Sequence, residues 1–256
     1  MEKNDKHRCC MNPSVHNITY ELNQVFRPNP ANREHWVKKQ LEALTPGLEI
    51  LDVGCGGQPY RKYCGHLVYR AHDFGQLDAP SQIIERNYGH LDYVSDVSHI
   101  PEKDCAFDAI LCTEVLEHVP DPVGAIKEMA RLLKSGGRLI LTAPLAAFLH
   151  QKPYHFYGGF TPFWYERFVS EAGFRTIRIE PNGGFFRFFG QECQRVTRIL
   201  FRQRSFASPL RWLCLPFEAV STLLFTMLCP LVCHYLDKLF PSEDCTIGYH
   251  VTAEKQ

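Results

Sequence analysis

The stretch LEILDVGCGGQPY, residues 48–60, decides how the rest of the chain is read. Leu48, Ile50, Leu51 and Val53 form a short, nearly continuous apolar run, and Gly54, Gly56 and Gly57 follow at once. A run of that kind suits a strand buried on both faces of a parallel sheet, and here it empties into a glycine turn. Glycine serves such a turn in two ways: it adopts positive φ at little cost, and it lets the backbone come close to a ligand. Asp52 stands two residues before Gly54, at the carboxyl end of the strand, where open α/β sheets bind ligands. An ordinary tight strand-to-helix turn reads the same way in isolation, so the flanking sequence has to decide.

Upstream, Pro46-Gly47 closes a helix that Asn32 can cap and that carries Trp36, Leu41 and Leu44 on one face through Ala43. Residues 1–31 form an N-terminal segment broken by Pro13, Pro28 and Pro30. Within it Tyr20, Leu22, Val25 and Phe26 suggest a short amphipathic turn or helix, and both a lid over a site and padding for the core stay open.

Downstream, Leu67–Ala71 is a second strand closed by Asp73 and Phe74. Asp73 lies about twenty residues beyond the glycine turn, the spacing of a carboxylate that accepts hydrogen bonds from ribose hydroxyls. Leu91–Val94 is a weak third strand with Asp96 and Val97 after it, and Ala109–Cys112 a fourth with Thr113-Glu114 at its end. Asp121-Pro122 starts a helix whose inner stripe is Val123, Ile126, Met129, Ala130 and Leu133; Gly136-Gly137 ends it, and Arg138–Ala143 is a fifth strand. Strands alternating with helices imply a parallel, doubly wound α/β sheet. Asp52, Asp73, Asp96 and Glu114 then share one edge of it.

Composition narrows the possibilities further. The chain has 256 residues and 45% apolar residues, enough for one large domain with a real core. Lys plus Arg and Asp plus Glu balance at 28 each, so whole-chain charge gives no reason to expect nucleic acid. The eleven cysteines are scattered with no CxxC pair, which indicates neither a zinc site nor a disulfide framework. Cys55 and Cys112 lie in apolar strand contexts and read as small buried side chains. The polar start MEKNDKHRCCMNP has no apolar core of a secretory signal, and a reducing, cytoplasmic setting is expected.

ILDVGCGG (50–57), Asp73, SDVSHIP (95–101), FDAILCTEVLEHVPDP (107–122) and LLKSGGRLILTAP (132–144), in that order, resemble the class I S-adenosylmethionine-dependent methyltransferases. GFTPFWYERFVSEAGF (159–174) and CTIGYHVTAEK (245–255) are similar to the helix after the fifth strand and to the final strand of small-molecule members. The resemblance implies a Rossmann-like sheet of seven strands, the last antiparallel. It also implies S-adenosyl-L-methionine as cofactor: Asp52 with the backbone of Gly54, Cys55, Gly56 and Gly57 at the methionine end, Asp73 at the ribose hydroxyls, Asp96 and Val97 at the adenine, Phe74 also in the cofactor site, and Glu114 near the methionine moiety or the reacting centre. Gln58 departs from the pattern where the family often has a further glycine. A nicotinamide-binding Rossmann domain fits less well, because Pro59 stands where its third glycine is needed.

Methyl transfer from a sulfonium requires alignment, exclusion of water and, for a hydroxyl acceptor, removal of a proton. Candidate bases are Glu117 and His118 after the fourth strand, and His155 in the aromatic loop HQKPYHFYGGF (150–160). Tyr154, Phe156, Tyr157, Phe160 and Trp164 could line an acceptor pocket or belong to the core; no metal is expected. CTEVLEH stands where an amino-methylating enzyme of nucleic acids would carry an NPPY-type tetrad, which argues against a nucleic-acid acceptor; O-methylation of a small or lipid-linked acceptor is the leading expectation. A scaffold that binds the cofactor without turning it over is the alternative.

The methyltransferase domain is expected over 32–182 and 244–256, and 183–243 is a basic and apolar helical insertion. Arg187, Arg195, Arg198, Arg202, Arg204 and Arg211 stand there against Glu192, and AVSTLLFTMLCPLVCHYL (219–236) has no charged residue. A buried hairpin capping the sheet, a membrane-surface element over 187–240 and a membrane-spanning helix all remain open, so a peripheral membrane location is a further expectation.

Overall fold

Leu51 and Val53 of the opening stretch face one side of the sheet and Ile50 the other, and both faces are covered. The computed structural model describes residues 13–75, 88–201 and 210–256, with only the backbone described for 13–19 and 210–214. The opening strand is β1 (Glu49–Val53), buried at all but its first position. It is followed by β2 (Val68–Asp73), β3 (Tyr93–Val94), β4 (Phe107–Thr113), β5 (Leu133–Pro144), β6 (Phe174–Pro181) and β7 (Gly248–Lys255). They form one seven-stranded sheet in the order β3-β2-β1-β4-β5-β7-β6. Strands β1 to β5 pair parallel, and β7 runs antiparallel between β5 and β6. This is the expected doubly wound sheet, and its strand order reverses beside β1, where ligands bind in such folds.

One face is covered by α3 (Pro122–Leu132) and α4 (Pro162–Glu171), which contribute Ile126, Met129, Tyr165 and Val169 to the larger core. Asp121 caps α3 by accepting from the Gly124 N–H at 2.8 Å, with Pro122 in the first turn. The other face is covered by α2 (Pro28–Glu42) through Trp36, Val37 and Leu41. Helix α2 begins four residues ahead of the expected cap Asn32. Pro28 and Pro30 occupy its first turn, where a missing N–H costs no hydrogen bond, and no side chain caps it. The segment before it is α1 (Pro13–Phe26), a helix of 14 residues, the helical one of the two forms expected and longer than the short element read from the sequence. Strand β5 also starts early: Leu133 already pairs with Phe107, so the helix before it stops at Leu132.

The insertion consists of α5 (Phe185–Phe201), α6 (Leu210–Thr222), a π-helical turn (Leu223–Leu228) and α7 (Cys229–Leu239). Helix α7 is held against α5 by a close approach: a Cβ on Gly190 would lie 3.0 Å from Cys233 Cβ. Asp237 anchors the pair, accepting from the N–H groups of Gly184 and Arg187 and pairing with the Arg187 guanidinium at 3.2 Å. The outer side is bare. Leu223, Met227, Leu228, Val232, Tyr235 and Leu239 are all exposed. Leu215–Leu239 is long and apolar enough to cross a membrane, yet its most apolar window is only 22% buried, so it is not a hairpin buried on the sheet. Of the arginines read from the sequence, Arg202 and Arg204 lie outside the described residues, as does the side chain of Arg211.

Candidate active site

The carboxyl ends of β1, β2 and β4 open into a cavity of about 370 Å³. Its floor is the glycine turn. Gly54 has φ of +67°, and a Cβ there would lie 2.4 Å from Val115, so both conformation and space demand glycine. Asp73, at the end of β2, accepts from the Gly56 N–H at 2.9 Å and the Gly75 N–H at 3.0 Å, which ties the turn to the neighbouring strand. Gln58 takes φ of +54°, a conformation that glycine usually supplies. Its amide donates to the carbonyls of Tyr88 and His90, so the atypical residue ties the glycine turn to the segment before β3. Asp96 accepts from the Ser98 N–H and hydroxyl, and these bonds hold its carboxyl below the usual carboxylate range.

Gly54, Cys55, Gly56, Gly57, Asp73, Phe74, Asp96, Val97, Glu114 and His118 all line this cavity. Asp52 does not. Its buried carboxylate accepts from the Tyr69 hydroxyl at 2.7 Å inside the sheet.

A second cavity of about 300 Å³ adjoins the first and shares Arg33, Glu114, His118 and Gln151 with it. Glu117, His150, Phe148 and Arg195 complete much of its wall, the last from α5, so the insertion borders this mouth. Glu114 sits at the join with φ of +54°, an uncommon conformation for a side-chain-bearing residue. Thr142 donates to its carboxylate at 3.0 Å and Arg33 pairs with it at 2.8 Å. Arg33 also donates to the Tyr60 hydroxyl at 3.2 Å. Neither Arg33 nor Tyr60 emerged from the motifs. A signal existed: Arg33 lies three and four residues before Trp36 and Val37, on the buried stripe of α2, where an unpaired cation would be costly.

Glu117 is almost wholly buried, and its Oε2 has no hydrogen-bond partner. Burial and the neighbouring Glu114 charge push its carboxyl above the usual range. Its backbone carbonyl accepts from the N–H groups of Phe156 and Tyr157, and Tyr157 donates to the Pro120 carbonyl at 3.0 Å, which stitches the loop after β5 onto the loop after β4. Of the aromatic residues in that loop, Tyr154 and Phe156 line the first cavity, whereas Phe160 is core and Trp164 packs on it. His155 lines neither cavity and lies beside His118 and His150, with ring centroids at 5.6 and 4.5 Å.

Residues 51–141 match the methyltransferase domain family. Ubiquinone biosynthesis O-methyltransferases of Xylella fastidiosa (strain M23) and Xanthomonas oryzae pv. oryzae (strain PXO99A) are 34% and 37% identical over 45% and 41% of this chain. The matched parts are 56% and 52% of those proteins, so the chain spans about half the length of the curated relatives it matches. Among solved structures, a SAM-dependent methyltransferase from Archaeoglobus fulgidus superposes with a TM-score of 0.54 at 15% identity, over 93% of this chain and 99% of that one; this likeness bears on the fold. Sheet order, glycine turn and matched domain agree: residues 51–141 match a methyltransferase domain, and they sit in a chain with the Rossmann-like methyltransferase fold.

Proposed function

We propose that this protein transfers a methyl group from S-adenosylmethionine to an oxygen of a small, lipid-linked acceptor. The observation that carries the reading is the shared wall of the two cavities. The first has a glycine floor and a strand-end carboxylate, Asp73, suited to a nucleoside. The second is reached past Glu114 and His118 and holds a buried carboxylate, Glu117, with an unpartnered oxygen.

When bound, the cofactor supplies a methyl carbon on a sulfonium leaving group, so little covalent chemistry falls to the protein. Asp73 accepts from the ribose hydroxyls, Asp96 and Val97 face the base, and the Gly54–Gly57 backbone receives the methionine end. Glu117 accepts the proton of the acceptor hydroxyl, while Tyr154 and Phe156 exclude water from the join. His118 and His155 stand behind Glu117 as the other candidate proton carriers. The names of the curated relatives support oxygen as the acceptor atom.

The exposed apolar side of α6 and α7 supports the lipid-linked part of the reading, and Arg198 in the last turn of α5 favours an anionic surface. Lying on the membrane would bring the mouth flanked by Arg195 toward lipid-borne acceptors. Calorimetric titration with S-adenosylmethionine tests the first cavity: wild type binds, and Asp73→Ala loses at least ~10-fold, since a charge-assisted hydrogen bond contributes ~1.5–3 kcal/mol. Equal affinity would remove Asp73 from the site. Release of S-adenosylhomocysteine with lipid extracts separates turnover from mere binding.

A further inference from the structure

We propose that His118, His150 and His155 form a binding site for a divalent first-row transition ion of the zinc type, opening onto the second cavity. The assignment of an acceptor to that cavity rests on the function proposed above, but the metal site does not. Cysteine spacing gives no such site, and the three histidines are separated in sequence. The fold brings them together: one ring nitrogen from each lies within 4.8 Å of those of the other two. Imidazoles around a tetrahedral ion with metal–nitrogen bonds of ~2.0–2.1 Å sit ~3.4 Å apart, so the exposed His150 ring has on the order of 1 Å to move.

Two of the rings are already oriented as ligands are. Nδ1 of His118 meets the Tyr154 carbonyl, and Nδ1 of His150 meets the Phe148 carbonyl at 2.8 Å. A carbonyl only accepts, so these contacts put the proton on Nδ1, the usual outer-shell arrangement at zinc histidines, and at His150 this leaves the Nε2 lone pair for a metal. Nδ1 of His155 is buried with no hydrogen-bond partner, an expense that an ion would remove. The Glu117 carboxyl lies 3.7 Å from Nε2 of His118, an oxygen donor at the same place. Three imidazoles with an open position suit zinc, cobalt or nickel better than magnesium, which prefers oxygen ligands. Because His118 and His150 both line the second cavity, the open position faces an acceptor oxygen, whose proton a bound ion would make more acidic.

The test uses the full chain stripped of metal by chelation, with zinc and cobalt chlorides as probes. One tight equivalent is expected, with visible bands of four-coordinate cobalt and no thiolate charge-transfer band. His150→Ala and His155→Ala should each weaken binding at least ~10–100-fold, the loss typical of removing even an outer-shell partner. Both residues lie off the first cavity, so S-adenosylmethionine affinity should be unchanged in both variants and reports intact folding. Undiminished zinc binding in both variants, or cobalt held by thiolates, overturns the site. Zinc binding that needs the histidines in a protein that does not bind S-adenosylmethionine would uphold the site and sink the methyl-transfer reading instead.

Discussion

Replacing Asp52 by asparagine should stabilise this protein at neutral and alkaline pH and leave it nearly unchanged in mild acid. Asp52 is 1% exposed and is faced by the Tyr69 hydroxyl, by Asp73, by the Tyr60 phenol and by the thiols of Cys55, Cys64 and Cys112. None of these is a cation, and the ion pairs among the described residues include none to Asp52. Burial pushes its carboxyl from 3.8 up to about 7; the Tyr69 hydrogen bond opposes that rise and the Asp73 charge adds to it. A raised acid binds more protons in the folded state than in the unfolded one. Its contribution is therefore complete below the unfolded value, falls as pH climbs through the window from 3.8 to about 7, and is gone above it. At ~1.36 kcal/mol per pH unit, the carboxylate costs the native state up to ~4 kcal/mol at pH 8. Asparagine keeps the shape and an oxygen for Tyr69 but carries no charge. Urea denaturation of both proteins at a series of pH values reads the effect. The expected gap in stability opens steadily between about pH 4 and pH 7 and is flat beyond. A gap that does not vary with pH, or an asparagine variant equally weakened at pH 5 and pH 8, would show that burial does not govern this carboxyl.

Three further outcomes can be checked with standard measurements. Gly54→Ala combines positive φ with a contact at 2.4 Å to Val115, so it should cost ~1–3 kcal/mol and weaken S-adenosylmethionine binding; adding Val115→Ala should recover only the steric part. Arg33→Met leaves the Glu114 carboxylate unpaired at the join of the cavities and should lower stability by ~1–3 kcal/mol in thermal melts, below the cost at a fully buried pair because both side chains keep some solvent. Met227→Glu places a charge on the bare side of the π-helical turn; it should reduce flotation with anionic vesicles and leave the melting temperature unchanged, and equal flotation would remove this face from membrane contact.

The sheet was legible because burial on both faces leaves a continuous apolar imprint in β1 and β4, and because Gly54 answers a steric need no other residue meets. The strand-end acids were legible because their spacing follows the length of a strand–helix unit. Arg33 was not, since its partner Glu114 is distant in sequence and only the packing of α2 across the sheet joins them. The three-histidine cluster was hidden for the same reason: two loops must be stitched together before their side chains meet. The start of α2 was misplaced because Asn32 has good capping chemistry, whereas the prolines before it had been read as breakers rather than as first-turn residues. The apolar run at 219–236 is ambiguous by nature, because a core and a lipid surface select the same side chains; the packing of α7 on α5 shows which face is left bare.

The position of β7 has a consequence for how the chain comes together during synthesis. Strand β7 lies between β5 and β6, yet it is translated after the whole insertion. Until residues 248–255 emerge, β5 ends the sheet with an open edge and β6 has no neighbour to bond. The apolar helices of the insertion are by then already synthesised, before the sheet has closed. A nascent chain thus presents the apolar side of α6 and α7 first and seals its sheet last.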